Sequence, residues 1–134
     1  MRTVLEQALE DVDRIITLKY TNFVYVVSDY ETACKASLVF GKALVHQRGW
    51  QFISQSTHSR VSLINGKLFY FVDFERFETL VRTLPIERIY VDMQFKDLDM
   101  KTIERFFYVA FTQLGKERGG DLDARIIKKE KFYG

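Results

Sequence analysis

The chain has 134 residues, of which 47% are hydrophobic and 28% charged, so it can bury the core of one domain and is neither disordered nor fibrous. Its formal net charge of +2 is too small to indicate nucleic-acid binding from bulk electrostatics. The single cysteine, Cys34, excludes an intrachain disulfide and a multi-cysteine zinc site, and we expect it to lie buried in a helix. Because no stretch has the ~18 consecutive apolar residues of a membrane span and no signal peptide is recognised, we expect a cytoplasmic location.

The first third of the chain predicts a helix, a strand and a second helix. Apolar residues recur at helical spacing from Val4 to Ile16, which indicates an opening amphipathic helix. Phe23–Val27 is apolar on both faces, as is typical of a strand in the middle of a sheet. Ser28 and Glu31 have the spacing of a capping box and predict a helix from about Tyr30 to Arg48.

The middle of the chain predicts an antiparallel hairpin. Two β-rich runs, residues 50–54 and 60–64, flank a polar stretch, residues 55–59, that we expect to be a loop. Asn65-Gly66 then joins the second run to Lys67–Val72, and this dipeptide favours the type I′ turn of a hairpin because both positions need positive φ.

The last part predicts a short helix, a strand, a long helix and an edge strand. Phe74–Thr83 suits the short helix, and Arg88–Asp92 is a second strand of the buried, central type. Asp99 is expected to cap the long helix, and Ala124–Ile127 to form the edge strand. The long helix has a wide apolar face made of Ile103, Phe106, Phe107, Ala110, Phe111 and Leu114.

This order of elements predicts one α/β domain over residues 1–134. The expected architecture is a three-layer sandwich with a mixed, partly parallel sheet and an antiparallel hairpin at one edge. Because a long connection separates Phe23–Val27 from Arg88–Asp92, these two strands are expected to pair in parallel.

The layout resembles the P-loop NTPase core of phage terminase large subunits and related helicase-like ATPases. The resemblance rests on the strands Val24–Ser28 and Ile89–Asp92, the helix start Tyr30–Lys35 and the hairpin Leu63–Phe71, and it covers the chain from about residue 5 to residue 107. It implies a nucleotide-hydrolase type of fold, a viral or mobile-element origin, and a metal-ordering role for Asp92.

Two departures argue against the chemistry of that family. No Gly-x-x-x-x-Gly-Lys-Ser/Thr motif occurs, so the backbone cradle and the lysine that hold nucleotide phosphates are missing from the sequence. Met93 stands where an acidic residue would follow Asp92. We therefore predict no cofactor, and Asp92 is a weak metal candidate or a turn cap at a strand end.

A metal-dependent nuclease of the PD-(D/E)xK type is the enzymatic alternative. Its metal ligands would be Glu31, Asp73 and Gln94, with Lys96 stabilising the developing charge. In that family the two motif carboxylates usually lie on adjacent strands of one hairpin, whereas a helical segment separates Asp73 from Gln94 here.

Basic and aromatic residues indicate possible partners. Basic side chains near the C-terminus, followed by Phe132 and Tyr133, would bind nucleic acid by pairing with phosphates while the rings stack on bases, or would simply protect an edge strand. The basic residues are Lys116, Arg118, Arg125, Lys128, Lys129 and Lys131. The aromatic excess also allows an exposed patch for a protein partner or a homodimer. It comprises Phe69, Tyr70, Phe71, Phe74, Phe77, Phe106, Phe107, Tyr108 and Phe111.

The functional interpretation follows from these patterns. We expect a non-catalytic binding or adaptor domain that contacts protein or nucleic acid and no membrane. The alternatives are the metal-dependent nuclease and a structural protein that forms homo-oligomers.

Overall fold

The computed structural model describes residues 3–15, 22–48, 54–57, 60–62, 68–82, 86–115 and 126–128. Within these ranges the chain alternates helices and strands in an α/β order. The elements are α1 (Val4–Ile15), β1 (Asn22–Val27), α2 (Tyr30–Arg48), β2 (Ser54–Thr57), β3 (Arg60–Ser62), β4 (Leu68–Asp73), α3 (Phe74–Val81), β5 (Ile86–Val91), α4 (Met100–Gly115) and β6 (Ile126–Lys128).

The described strands form one sheet in the order β2-β3-β4-β1-β5-β6. β1 pairs in parallel with β4 on one side and with β5 on the other, and β5 pairs in parallel with β6. In this register Val26 lies beside Val72 and Val91. The predicted parallel pairing of the two apolar strands is therefore confirmed, and both strands lie inside the sheet.

The other end of the sheet is antiparallel. β3 pairs antiparallel with β4, and β2 pairs antiparallel with β3. The connection that contains Asn65-Gly66 lies outside the described residues. The prediction of a loop over residues 55–59 is wrong for Gln55–Thr57, which belong to β2. A strand at a sheet edge needs no continuous apolar pattern, so the polar composition of β2 gave no indication of a strand.

Two helical layers cover the sheet, which confirms the α/β class. All six residues of β1 are buried. Phe23, Tyr25 and Val27 belong to a core shared with α1 and α2, whereas Val24 and Val26 belong to a core shared with α3 and α4. This alternation follows from the period of two along a strand, and burial on both faces explains why β1 is apolar throughout.

Aromatic rings fill both cores. On the side of α1 and α2, the Phe40 ring centroid lies 4.6 Å from that of Phe69 and 5.3 Å from that of Phe71. On the side of α3 and α4, the Phe106 ring lies 4.7 Å from Phe77. Most rings of the predicted aromatic patch are thus interior, and Tyr108, 65% exposed, is the clear exception among them.

Polar side chains cap the first turns of α1 and α4. The Glu6 amide donates to the Thr3 hydroxyl at α1, and the Thr102 amide donates to the Asp99 carboxylate at 2.7 Å at α4, which confirms the predicted Asp99 cap. Among the described residues, no helix combines the length and apolar character that a bilayer crossing requires.

Candidate binding site at the carboxyl ends of the parallel strands

The sheet has one edge where α/β proteins commonly bind ligands. β4, β1 and β5 are parallel, so their carboxyl ends meet at the same edge. α2 follows β1 on one face of the sheet, and α4 follows β5 on the opposite face. Neighbouring strands whose helices leave to opposite faces form a crevice beyond their carboxyl ends. Asp29, Asp73 and Asp92 all follow or end these strands.

Asp92 is held by the neighbouring strand. The Tyr25 hydroxyl donates to its Oδ2 at 2.6 Å, and the Asp92 amide donates to the carbonyl of Val26 at 2.9 Å. Burial of the Tyr25 ring, together with the hydrogen bond and the charge of Asp92, raises the pKa of the Tyr25 hydroxyl well above its usual range. The half-buried carboxylate is therefore fixed against β1 rather than left to project freely into the crevice.

Asp29 caps α2. The Thr32 amide donates to Asp29 Oδ1 at 2.8 Å, and the Ala33 amide donates to the Asp29 carbonyl. The hydrogen bond from Thr32 lowers the pKa of the Asp29 carboxyl. The predicted capping box is wrong by one residue, because Asp29 accepts the capping bond while the Ser28 hydroxyl donates to Asp29.

Asp73 differs from the other two aspartates. It ends β4 and occupies the N-cap position of α3, with 5% of its surface exposed. Its side chain makes no capping hydrogen bond to α3. Within the described part of the chain, its buried Oδ1 has no hydrogen-bond partner, and it lies 3.8 Å from the Arg76 Nε.

Asp73 borders a pocket of about 340 Å³ between the start of α2, the end of β4 and the outer side of α3. We call it the Asp73 pocket, and it is lined by Tyr30, Tyr70, Phe71, Val72, Asp73, Glu75, Arg76, Thr79 and Leu80. The guanidinium of Arg76 lies over the Tyr30 ring, 4.7 Å from its centroid. The pocket thus combines aromatic walls, a buried carboxylate (Asp73), an exposed carboxylate (Glu75) and one cation, Arg76.

Cys34 interacts with Tyr30, one of the residues that line this pocket. The prediction that it is buried is wrong, because its side chain is half-buried on α2, one turn after Tyr30. A hydrogen bond with the Cys34 side chain, followed by the electrostatic interaction with it, raises the pKa of the Tyr30 hydroxyl, and Asp73 adds to that shift while Arg76 opposes it. The helical pattern placed Cys34 near two alanines, but it sits at the margin of the buried face rather than within it.

A second pocket, of about 450 Å³, lies between α3 and α4. Phe74, Phe77 and Phe106 contribute apolar walls, and an ion pair between Glu78 and Arg105 joins the two helices across it. Its lining includes three acidic groups, Glu75, Glu78 and Asp99, and two basic groups, Lys101 and Arg105, so its charge does not favour one sign of ligand.

The structure does not place the predicted nuclease residues on adjacent strands of one hairpin. Glu31 is exposed and pairs with Lys35 at 3.3 Å, and Gln94 and Lys96 are exposed beyond β5. Asp73 ends β4, and β1 lies between β4 and β5. Two strand spacings, about 10 Å, therefore separate the Asp73 strand from the Gln94 strand. Among the described residues, no group of three or more His, Cys, Asp or Glu side chains could hold a metal ion, and Asp92 therefore belongs to no such group there.

The predicted basic surface is largely outside the described residues. Lys128 ends β6, while the other five basic residues of that prediction lie outside the described ranges. Nucleic-acid binding by this segment stays a prediction.

A polar network that the sequence analysis missed lies on the α1 side of the sheet. Asp11 of α1 is 1% exposed and accepts hydrogen bonds from Tyr90 at 2.9 Å, Arg88 at 3.1 Å and Gln7 at 2.9 Å. Burial, followed by the charge and hydrogen bond of Asp11, raises the pKa of the Tyr90 hydroxyl. The sequence pattern does indicate such a network. Asp11 lies on the same helical face as Val4 and Ala8, and a buried charge on an apolar face needs a polar partner to offset the loss of its hydration.

Comparison of the chain with protein-family models, with curated proteins and with solved structures found no match in any of the three. The resemblance to P-loop NTPase cores therefore stays a prediction.

Proposed function

We propose that the chain is a non-catalytic binding domain that recognises a protein partner at the carboxyl edge of its sheet. The observation that carries this proposal is the Asp73 pocket, which a buried carboxylate lines together with aromatic side chains. Apolar walls with a few placed polar groups are typical of recognition sites.

The environments of the neighbouring acids support binding over turnover. Asp29 is engaged in capping α2, and Asp92 is hydrogen-bonded to Tyr25. Hydrolysis of a phosphodiester needs carboxylates that converge on one metal and one water. In the described residues these acids instead bond within their own elements or to the adjoining strand, which favours a positional role for each of them.

Charge supports a protein partner over nucleic acid. The formal net charge is +2, with 20 basic and 18 acidic residues. A strong, salt-dependent attraction to phosphates depends on several basic groups acting together, each releasing a counterion. The residues around the Asp73 pocket include acids as well as Arg76, so this edge does not offer phosphates a uniformly basic surface.

The first prediction tests this proposal with DNA. We expect a log–log plot of DNA affinity against salt to have a slope near zero, and no cleavage of plasmid or single-stranded DNA with Mg²⁺ or Mn²⁺. A gel-based cleavage assay and a fluorescence-anisotropy titration measure the two quantities.

Cleavage would overturn the proposal if it disappears in both Asp73→Ala and Lys96→Ala but persists in Lys101→Ala. Lys101 is the matched control because it is another exposed lysine, at the start of α4. A steep fall of DNA affinity with rising salt would indicate that the partner is nucleic acid and not protein.

A further inference from the structure

We propose that the Asp73 pocket binds the guanidinium group of an arginine side chain presented by a partner, and that Arg76 competes for the same position from within the chain. This inference rests on the proposed function and adds the chemical class of the group that is recognised.

One oxygen of the Asp73 carboxylate accepts no hydrogen bond from the described residues. An aspartate at a helix N-cap normally accepts a hydrogen bond from an amide of the first turn, but the Asp73 side chain does not. Its Oδ1 is buried and has no hydrogen-bond partner among the described residues. A buried acceptor without a partner is unfavourable and is uncommon in folded proteins. A guanidinium that takes the place of Arg76 beside this oxygen would supply the missing donor.

Arg76 lies near that oxygen and offers it a cation. Arg76 Nε is 3.8 Å from Asp73 Oδ1, which is an ion-pair distance but is too long for a hydrogen bond. The Arg76 guanidinium lies over the Tyr30 ring at 4.7 Å. The chain's own side chain therefore shows that a planar cation fits between the ring and the carboxylate.

Arg76 satisfies the Asp73 carboxylate incompletely. It is only three residues after Asp73, in the first turn of α3, and its side chain is 65% exposed. An arginine that enters from outside is not bound to that helix and can direct two parallel N–H groups at the carboxylate. Such a bidentate pair supplies the donor that Oδ1 lacks.

The size of the pocket agrees with a single side chain. Its volume of about 340 Å³ is at the small end of ligand pockets, which span roughly 300–1,000 Å³. The aromatic walls of Tyr30 and Tyr70 suit the alkyl stem and the flat face of a guanidinium. A charged carboxylate and aromatic faces both favour a cation over a neutral group.

The second prediction concerns a titration of the full chain with N-acetyl-arginine-methylamide, followed by amide chemical shifts. We expect saturable shifts at Tyr30, Asp73 and Arg76, and none with the neutral isostere N-acetyl-citrulline-methylamide. N-acetyl-lysine-methylamide should bind more weakly, because an ammonium cannot form the bidentate pair. A blocked Gly-Arg-Gly peptide should bind at least as tightly as butylguanidinium, since the proposed source is a protein chain.

Variants separate the contributions of the three groups. Asp73→Asn should weaken binding by about tenfold, because it removes the charge-assisted pair. Tyr30→Leu should weaken it by about threefold. Arg76→Ala should strengthen it by about three- to tenfold, because the internal competitor is removed. Glu78→Gln is the matched control: it changes an acid of the same helix that does not line the Asp73 pocket, and binding should be unchanged.

Equal binding of the citrulline compound, or tighter binding of the lysine compound, would overturn the guanidinium assignment. Unchanged or weaker binding in Arg76→Ala would overturn the competition, and tighter binding of butylguanidinium than of the peptide would overturn the protein source. Tyr30→Leu, at an exposed position, keeps the test valid if Asp73→Asn does not fold. If no arginine compound binds, the assignment of the Asp73 pocket to a guanidinium fails. The proposed function is tested separately, by the DNA binding and cleavage of the first prediction, so the two failures are distinguishable.

Discussion

Three aspartates at the same sheet edge have three different environments. Asp29 accepts the capping bond of α2, Asp92 accepts the hydroxyl of Tyr25, and Asp73 keeps one buried oxygen without a hydrogen-bond partner among the described residues. Their positions after strands could be predicted from the sequence, because strand patterns are local. Their partners could not, since Tyr25 and Asp92 are 67 residues apart and meet only through the parallel register.

The network around Asp11 shows the same limit at the scale of single residues. The apolar spacing of α1 placed Asp11 on the buried face, but only the fold brings Arg88 and Tyr90 to it. A buried carboxylate depends on such partners, because desolvation of its charge would otherwise oppose folding.

The third prediction is that Arg88→Met lowers the free energy of unfolding by about 2–3 kcal/mol, because the Asp11 charge loses its cation while Tyr90 and Gln7 still donate to it. Chemical denaturation measures the change. In the double variant Asp11→Asn/Arg88→Met, the amide oxygen still accepts from Tyr90 and no charge remains, so at least half of the loss should be recovered. A double variant less stable than Arg88→Met would contradict the assignment.

At the scale of elements, periodicity was the most informative part of the sequence. The apolar face predicted for the last helix lies against the sheet in α4, with Ile103, Phe106 and Leu114 buried. The predicted range of α2, Tyr30–Arg48, is also confirmed. The N-cap of α2 was harder to predict, because Ser28 and Asp29 are both good capping residues. The edge strand β2 was also harder to predict, because it is polar and lacks an apolar pattern.

The fourth prediction concerns the contact between α3 and α4. Phe106 is 4% exposed and packs against Phe77, Phe74 and Phe95. Phe106→Ala should therefore lower the free energy of unfolding by about 3–5 kcal/mol in urea denaturation. Tyr108→Ala is the matched control on the same helix, since Tyr108 is exposed, and it should change stability by less than about 0.5 kcal/mol. Comparable losses in both variants would show that α4 does not pack in this orientation.

At the scale of the whole molecule, two tyrosines connect the middle of the sheet to the polar groups around it. Tyr25 and Tyr90 stack with centroids 6.3 Å apart on β1 and β5, and their hydroxyls donate to different carboxylates, Asp92 and Asp11. The pKa of each hydroxyl is raised, first by burial and then by its carboxylate. Ionisation of either tyrosine is therefore linked to unfolding of the sheet.

The fifth prediction is a loss of stability in alkali. In the unfolded chain these tyrosines lose their protons near pH 10, whereas in the folded chain they retain them to higher pH. Their contribution is fully present below pH 10, and above it the free energy of unfolding should fall by up to about 1.4 kcal/mol per pH unit for each tyrosine. Urea denaturation between pH 9 and pH 11.5 measures the slope, and Tyr25→Phe and Tyr90→Phe should each make it shallower. An unchanged slope in both variants would refute the linkage.

The position of β1 between β4 and β5 has a consequence for the order in which the chain is synthesised. Asn22 pairs with Leu68 on one side and with Ile86 on the other, so the partners of β1 are translated 46 and 64 residues after it. The backbone hydrogen bonds within α1 and α2 are local, so these helices can begin to form early, but β1 has neither neighbour when it leaves the ribosome. Until β4 emerges, the nascent chain carries an apolar strand with two open edges, and this interval is when it is most exposed to aggregation and to capture by chaperones.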